Sequence, residues 1–385
     1  MLLKCVEYKE FPGTPDEWSL EGFMPKKINL IIGKNASGKT RTLNLIGGMG
    51  QVISGQRPLF RGPSEIKLEF NHHSKLKYLI AVKDGKVIAE KLIKNDETLL
   101  DRGIGGKGKI FAEQLDRFID FQAPENVLAC TVRRDAVQHP YFEEIFQWGD
   151  LIRHYHFGSQ LGKDMLLLAA AERTVPVNFK DENNIVSIFK AAFEQFPGFT
   201  EIIVNDMKQI GYDIEIAVYA PLPLPFVPMS PLPGIPLGDL LGISVKEADL
   251  NKYISQIDMS QGMFRALALL IHVNLNLLQN TPCCFLIDDI GEGLDFDRSS
   301  ALIKLLMDKV SKSPAAVQLM MTTNDRFTMN SVPLKYWSVI HRHGGKCKVF
   351  NYENSKKIFE DFAYTGLSNF DFFSTEFYEK GLEEE

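Results

Sequence analysis

INLIIGKNASGKTRTLN, residues 28–44, fits the phosphate-loop pattern G-x-x-x-x-G-K-[ST], with Gly33, Gly38, Lys39 and Thr40 in the fixed places. The chemistry needs those types at that spacing. Glycines let the backbone curl until successive N–H groups converge on one anion. Lys39 adds a point charge for the β- and γ-phosphates, and Thr40 offers its hydroxyl to Mg²⁺. A helix starting here would add the positive end of its dipole. An apolar run, 28–32 with only Asn29 polar, precedes the loop as a buried strand should. A helix-compatible segment, 40–46, follows it. The residues expected to touch the nucleotide are Gly33, Lys34, Asn35, Ala36, Ser37, Gly38, Lys39, Thr40 and Arg41.

The 385 residues predict roughly two to three domains. A formal charge of −6 argues against broad, charge-driven coating of DNA, though not against a local basic patch. The five cysteines show no C-x-x-C spacing, so neither a zinc site nor a redox motif is indicated. Their odd number, with no h-region and cleavage site at the N-terminus, reads as reduced thiols in a cytoplasm. The longest apolar segment, 266–278, is broken by His272, Asn274 and Asn276 and is too short to span a bilayer. No internal repeat and no long charged heptad segment is present.

Strands are expected at 2–11, 18–23, 64–90, 127–132 and 212–219. Asp84-Gly85 supplies a hairpin turn. Residues 101–109 read as a glycine-rich loop, and 110–121, 141–156, 184–196 and 200–210 as helices. Residues 221–236 hold seven of the 19 prolines, which excludes a central strand or helix and leaves an extended connector or a proline-rich docking motif.

A second constellation lies near the C-terminus. Cys283-Cys284-Phe285-Leu286-Ile287-Asp288-Asp289 is an apolar run ending in two carboxylates, as a buried strand delivering acids to a nucleotide would be. Asp288 would hold Mg²⁺, and Asp289 would sit where a base can orient or deprotonate water. Upstream, Ser260 is a good N-cap for a helix whose apolar stripe runs through Met263, Leu267 and Leu270. Its start is either a second anion site or an ordinary capped core helix.

Taken in order, the phosphate loop, S-x-G-x-x-R opening a helix, an apolar strand ending in two acids, and Gly293-Leu294-Asp295 resemble ABC-class ATPases. The likeness is to the soluble branch that includes the SMC, RecF and OLD-type heads, over about 1–135 and 245–351. It implies an α/β fold: an ABC-type P-loop ATPase head with an antiparallel β subdomain and a helical insertion. The expected organisation is an ATPase lobe I at 1–135 and a mostly helical insertion at 136–244. A lobe II at 245–351 and an aromatic tail at 352–385 complete it. By that resemblance Ser260, Gln261 and Gly262 form the signature motif, Asp288 is the Walker B acid, Asp295 the D-loop residue and 322–325 the switch segment. Three departures are visible. Asp289 stands where the family usually has Glu, with Glu292 nearby as a substitute. Asn324 stands where His is usual. The glutamine that would help hold the metal is best matched by Gln138, with Gln122 as the alternative. An amide at the switch cannot take a proton at neutral pH, so slow turnover is expected.

The resemblance further implies ATP and Mg²⁺ as cofactors and a head-to-tail homodimer, or a higher oligomer, around two ATPs. It also suggests an ATPase subunit of anti-phage defence that gates a separate effector such as a nuclease or toxin. The alternatives are a RecF-like DNA-binding repair ATPase and a nucleotide-dependent scaffold without turnover. No membrane partner is expected. The aromatic tail, with Phe359, Phe362, Phe370, Phe372, Phe373, Phe377 and Tyr378, would either dock a partner or fold onto its own core.

Overall fold

All five residues of Ile28–Ile32 are buried, so the strand that feeds the phosphate loop lies inside a sheet. Its one polar side chain, Asn29, is satisfied there: it accepts from the Lys26 N–H at 2.7 Å and donates to the Lys26 carbonyl at 2.8 Å. A computed structural model describes residues 1–71, 74–168, 177–221, 240–250 and 252–381. Along the chain run β1 (Leu2–Glu10), β2 (Trp18–Phe23), β3 (Ile28–Ile32), α1 (Lys39–Ile53), β4 (Ser64–Asn71), β5 (Lys75–Lys83) and β6 (Lys86–Lys94). Next come β7 (Glu97–Arg102), β8 (Lys107–Ala112), β9 (Arg117–Gln122), α2 (Ala129–Val132), α3 (Pro140–Asp150) and β10 (Ile152–His156). They are followed by β11 (Leu167–Leu168), α4 (Ile185–Gln195), α5 (Phe199–Gln209), β12 (Ile214–Pro221), β13 (Leu240–Glu247), β14 (Tyr253–Ser255) and α6 (Gln261–Leu278). The chain closes with β15 (Cys283–Asp288), α7 (Phe296–Lys312), β16 (Val317–Thr322), α8 (Arg326–Ser331), β17 (Trp337–His343), β18 (Lys346–Asn351), α9 (Lys356–Ala363) and α10 (Asn369–Ser374).

Two compact units share these elements. The first comprises Met1–His154, Pro282–Ile287 and Ala316–Glu385. Its sheet has 14 strands in the order β10-β15-β16-β3-β17-β18-β2-β1-β4-β5-β6-β7-β8-β9. Strands β15, β16, β3 and β17 are parallel neighbours, whereas the β4-to-β9 end is an antiparallel meander. Parallel strands covered on both faces read as continuous apolar runs, and the antiparallel ones alternate, as Ser64–Asn71 does. Leu43, Ile46, Met49 and Ile53 of α1 join Leu68, Tyr78, Leu92, Tyr141 and Trp148 in one core. Inside the β meander, Arg102 and Glu90 pair at 2.9 Å, both side chains fully buried. Tyr78 Oη donates to Glu90 at 2.5 Å, and the Ala129 N–H also donates to that carboxylate at 2.8 Å.

The second unit comprises Tyr155–Thr281 and Asp288–Ala315. It pairs β11, β13 and β12 in sequence, with β14 added to β13. Helices α4 and α5 pack with α6 and this sheet, and α7 packs on α5. Pro221 closes β12, an edge strand, where a missing N–H costs little. The rest of the proline-rich connector, 222–236, lies outside the described residues.

Several local expectations are corrected. Residues 110–121 are the hairpin β8–β9, with Asp116 in the left-handed region, φ 47°, at its turn. Leu115 and Phe118 are about half exposed, so the apparent helical stripe never becomes a buried face. The glycine-rich 101–109 stretch is the β7–β8 connection together with strand residues on both sides. The apolar run 127–132 is a loop entering α2, and 152–156 is a strand. Short apolar runs do not distinguish these states. The C-terminal tail folds back: Phe359, Phe362, Phe372 and Tyr378 are buried, with Phe372 edge-on to Trp337 and Tyr378 against Phe350.

Helix α1 carries glycines, poor helix formers, at 47, 48 and 50, and at Gly50 it touches α3 closely. A Cβ on Gly149 would sit 2.7 Å from the Gly50 carbonyl oxygen, and one on Gly50 3.0 Å from that of Gly149. Backbone cannot yield there as a side chain could. Gly149→Val should therefore destabilise the fold by about 2–3 kcal/mol, read as a lower urea midpoint at an unchanged m-value.

Candidate functional site

The phosphate loop follows β3 and ends in α1. Gly33 must be glycine here, since a Cβ would meet Ser37 Oγ at 2.4 Å and the Ile340 carbonyl at 2.7 Å. Ala36 and Gly38 have φ of 60° and 108°. Those two left-handed residues turn the backbone sharply, so that consecutive N–H groups can face one point. The loop is clamped from outside. Arg342 donates to the Ala36 carbonyl at 2.8 Å, and Cys347 Sγ to the Ser37 carbonyl at 3.3 Å.

Helix α1 has no side-chain cap and no acidic residue in its first turn. No residue of the helix's own first turn therefore offsets its N-terminal N–H groups and dipole. Lys39 is buried and lays its Nζ across the loop, 2.9 Å from the Gly33 carbonyl. Ser37 Oγ is buried without a hydrogen-bond partner. Glycine cradle, uncapped helix, buried lysine and orphaned hydroxyl fit a bound polyphosphate. Thr40 is exposed at the first turn of α1. Lys34 and Asn35 are exposed on the rim, and Lys34 pairs with Glu376 of the folded tail. Arg41 points elsewhere: it pairs with Glu10 and lies over the Trp18 ring, 4.0 Å from its centroid.

Parallel pairing brings three chain segments to one sheet edge. Ile31 is opposite Thr322, and Met321 is opposite Ile287, the residue before Asp288. The carboxyl ends of β3, β16 and β15 therefore emerge together, the edge at which ligands bind in open α/β sheets. Thr322 and Thr323 are buried there, and Asn324 is exposed. Asp325, beside it, caps α8 by accepting from the Thr328 N–H at 2.8 Å. Gln138 lies between α2 and α3, so it does not follow a strand as expected. Its Oε1 is buried with no partner. Gln122 is exposed at the end of β9, donating to the Gly105 carbonyl at 3.1 Å.

In the second unit, Asp288 ends β15 and is buried, and its carbonyl accepts from the Phe157 N–H at 3.0 Å. Asp289 follows in a tight turn with φ 52°. Asp tolerates the left-handed region better than most side chains because its short carboxylate can bond locally. The backbone thus gives a reason for Asp here rather than the longer Glu. The Glu292 carboxylate packs on Gly158, where a Cβ would meet Oε2 at 2.3 Å.

Ser260 caps α6, accepting from the Met263 N–H at 3.3 Å, and it is exposed rather than turned into the core. Gln261 is half-buried and Gly262 buried, a Cβ on Gly262 falling 2.4 Å from the Gly293 carbonyl. Asp295 caps α7, accepting from the Arg298 N–H at 3.0 Å and from its guanidinium at 2.7 Å. The Arg298 backbone N–H, then its charge, hold the Asp295 carboxyl below the usual range. Arg265, the arginine of S-x-G-x-x-R, donates to the carbonyls of Gly158, Ser159 (2.8 Å) and Glu292 (3.1 Å). It ties the start of α6 to the turn before Asp295.

The fold is similar to that of a solved structure. Over 93% of this chain and all of the other, it is similar to an Smc head bound to the C-terminal winged-helix domain of ScpA, at 14% identity and a TM-score of 0.51. The chain has the SMC-head fold. Further matches are an Smc head with an extended coiled coil from Pyrococcus furiosus and the SMC head domain from Thermotoga maritima. Both are 12% identical, with TM-scores of 0.44; they cover 94% and 91% of this chain and 99% of their own. No protein-family model and no curated protein matches the chain. The SMC-head fold is an ABC-type ATPase head, the α/β class expected from the sequence.

Sequence reasoning missed Tyr212 and Arg298, whose ring and guanidinium stack at the start of α7, and Lys163, whose Nζ reaches the Met259 carbonyl at 2.6 Å. Arg298 lies only three residues after Asp295, near enough for a local pattern to link them. Tyr212 and Lys163 lie 48 and 97 residues before Ser260, and no local pattern links them to it.

Lys39 carries the test of this half-site. Lys39→Met should weaken binding of a fluorescent ATP analogue by roughly ten- to a hundredfold, the worth of a charged hydrogen bond, with thermal unfolding little changed.

Proposed function

We propose that this protein is an ATP-binding, slowly hydrolysing ABC-class ATPase that pairs head to tail around two ATPs and gates a separate effector subunit. The observation that carries the reading is the clamped phosphate loop: a glycine cradle, a buried Lys39 and an uncapped helix at the carboxyl edge of parallel strands. Thr40 and Asp288 would hold Mg²⁺, with Gln138 as a further oxygen ligand. Among the described residues no three His, Cys, Asp or Glu side chains gather into a metal cage. Mg²⁺ does not require one, since phosphates and water complete its octahedron. When bound, the ion neutralises charge on the β- and γ-phosphates.

The roles left to the chain are orientation and proton transfer. Asp289 would accept a proton from the attacking water, with Glu292, three residues on, as the substitute carboxylate. Asn324 would orient water or phosphate without accepting a proton, which makes turnover slow. Ser260, Gln261, Gly262 and Asp295 would close over the nucleotide of a second copy. The exposure of Ser260 at a helix N-terminus supports a role toward another molecule.

The effector and a place in anti-phage defence rest on the sequence resemblance. The solved Smc head captured with ScpA is a case in which this fold carries a separate protein.

Two substitutions test the reading. Ser260→Arg should keep single-site ATP binding yet abolish ATP-driven dimerisation, measured by light scattering; normal dimerisation in this variant would defeat the trans arrangement. Asp289→Asn should slow phosphate release by about a hundredfold or more without weakening ATP binding.

A further inference from the structure

The C-terminal tail ends against the phosphate loop. After α10, Glu376 turns the chain with φ 55° into a short 3₁₀ turn, Phe377–Gly381. A residue with a side chain keeps a left-handed backbone only where its surroundings hold it. Here it is held from two sides. On one, Phe372 and Tyr378 are buried, with Tyr378 against Phe350 of β18. On the other, the Glu376 carboxylate pairs with the ammonium of Lys34, the second residue of the phosphate-loop pattern. Three residues on, Glu379 lies 2.9 Å from His341 Nδ1 of β17. His341 precedes Arg342, which clamps the Ala36 carbonyl of the same loop. The start of α10 is tied to a second segment of the site. Asn369 Nδ2 donates to the Val332 carbonyl at 2.9 Å, and the Phe370 N–H donates to Asn330 Oδ1 at 2.8 Å. Asn330 belongs to α8, which begins two residues after Asn324. All of these residues lie in the first unit.

The Lys34 contact is the one whose chemistry bears on an anion. An ammonium is a compact point charge with three donors and no acceptor. On the rim of an anion cradle, that charge would add to the pull on a triphosphate. The hydrogen bond from Lys34, then its charge, hold the Glu376 carboxyl below its usual range, and the same bond and charge hold the Lys34 ammonium above its own. Both groups are therefore charged at neutral pH, and their charges cancel. The carboxylate masks the rim cation and itself repels phosphate. Stability does not call for the pair. The two side chains are 68% and 35% exposed, and exposed ion pairs contribute little. The tail is already held by its buried rings, and the loop by Arg342 and Cys347.

We propose that the C-terminal tail is an autoinhibitory strap: Glu376 competes with the triphosphate of an incoming nucleotide for Lys34, and nucleotide binding draws Lys34 off the tail and loosens the Glu376 turn. This rests on the ATP-binding reading of the phosphate loop and adds to it a brake carried by the same chain. The buried rings keep the tail attached when the pair opens, so the change is confined to the turn. Through Asn369 and Phe370 the turn is linked to the helix that follows the switch segment.

The test uses the full-length protein and a fluorescent ATP analogue at low salt. Glu376→Gln keeps the shape of the side chain and removes its charge. It should tighten the analogue's Kd by about two- to fivefold, the reach of one exposed ion pair. Glu360→Gln removes the same charge from α9, where Glu360 meets Tyr352 and Lys356 instead of the loop. It should leave the Kd unchanged. The gain from Glu376→Gln should fade toward roughly 1 M salt, where exposed charges are screened within a few ångströms. Hydrogen exchange on the wild type gives a second readout: saturating analogue should slow the amides of residues 33–40 and speed those of 375–380. Unchanged or weaker binding by Glu376→Gln would overturn the proposal. So would an equal gain from Glu360→Gln, or exchange at 375–380 that the analogue leaves unchanged or slows. Failure of the wild type to bind the analogue would instead bring down the ATP-binding reading, and this inference with it.

Discussion

Close contact between Gly33, Ser37 and the Ile340 carbonyl is the constraint on which the first unit's site depends. With a Cβ excluded from Gly33, the loop folds tightly enough for Lys39 Nζ to reach back to the Gly33 carbonyl. The loop cannot relax outward, because Arg342 and Cys347 hold its carbonyls from the β17–β18 hairpin. β3 lies between β16 and β17, so the stem beneath the loop is rigid as well. Pre-organisation of this kind matters for anion binding, because donors that must be gathered on binding cost affinity. The loop holds its shape through strained but supported residues: Ala36 and Gly38 have positive φ. A non-glycine residue there persists only where its surroundings over-determine it.

The rest of the first unit supports that stem. Helix α1 is buried along most of its length and contributes more to the core than to the surface. Gly50 lets α3 approach to backbone distance. The β meander is pinned from within by the buried Glu90–Arg102 pair. A buried ion pair brings little net stability, but leaving either charge alone would be costly. Tyr78 and the Ala129 N–H satisfy the same carboxylate, so the pair also fixes where α2 begins. The chain toward Gln138 starts from that point. The tail adds a lid of aromatic side chains over β17 and β18, yet its tip stays outside: Tyr364 is 90% exposed and Leu367 55%.

The second unit presents a face rather than a cradle. Ser260 and Asp295 are both helix caps, and both use one lone pair or oxygen on their own helix. What distinguishes them from ordinary caps is the bridge that Arg265 makes between α6 and the turn after Asp289. Caps of this kind are rigid at modest energetic cost, since each orphan N–H is satisfied by the side chain that will also face outward.

What the sequence determined by itself was the chemistry that is local along the chain. Gly33 to Thr40, the apolar strand ending at Asp288, and the cap Ser260 each follow from spacing within a few residues, where backbone geometry leaves few choices. The α/β class followed from their order. Strands β8 and β9 were misread because two short half-buried strands and a turn imitate a helical stripe over a dozen residues, and only pairing with β7 decides between them. Whether the aromatic tail packs inward was equally beyond local reading, since the Trp337 and Phe350 surface that receives it is supplied by other strands. The same holds for the meeting of Tyr212 with Arg298 and for Glu376 beside Lys34. Such contacts join residues tens to hundreds of positions apart, and burial and close packing in the folded chain select them where sequence spacing cannot.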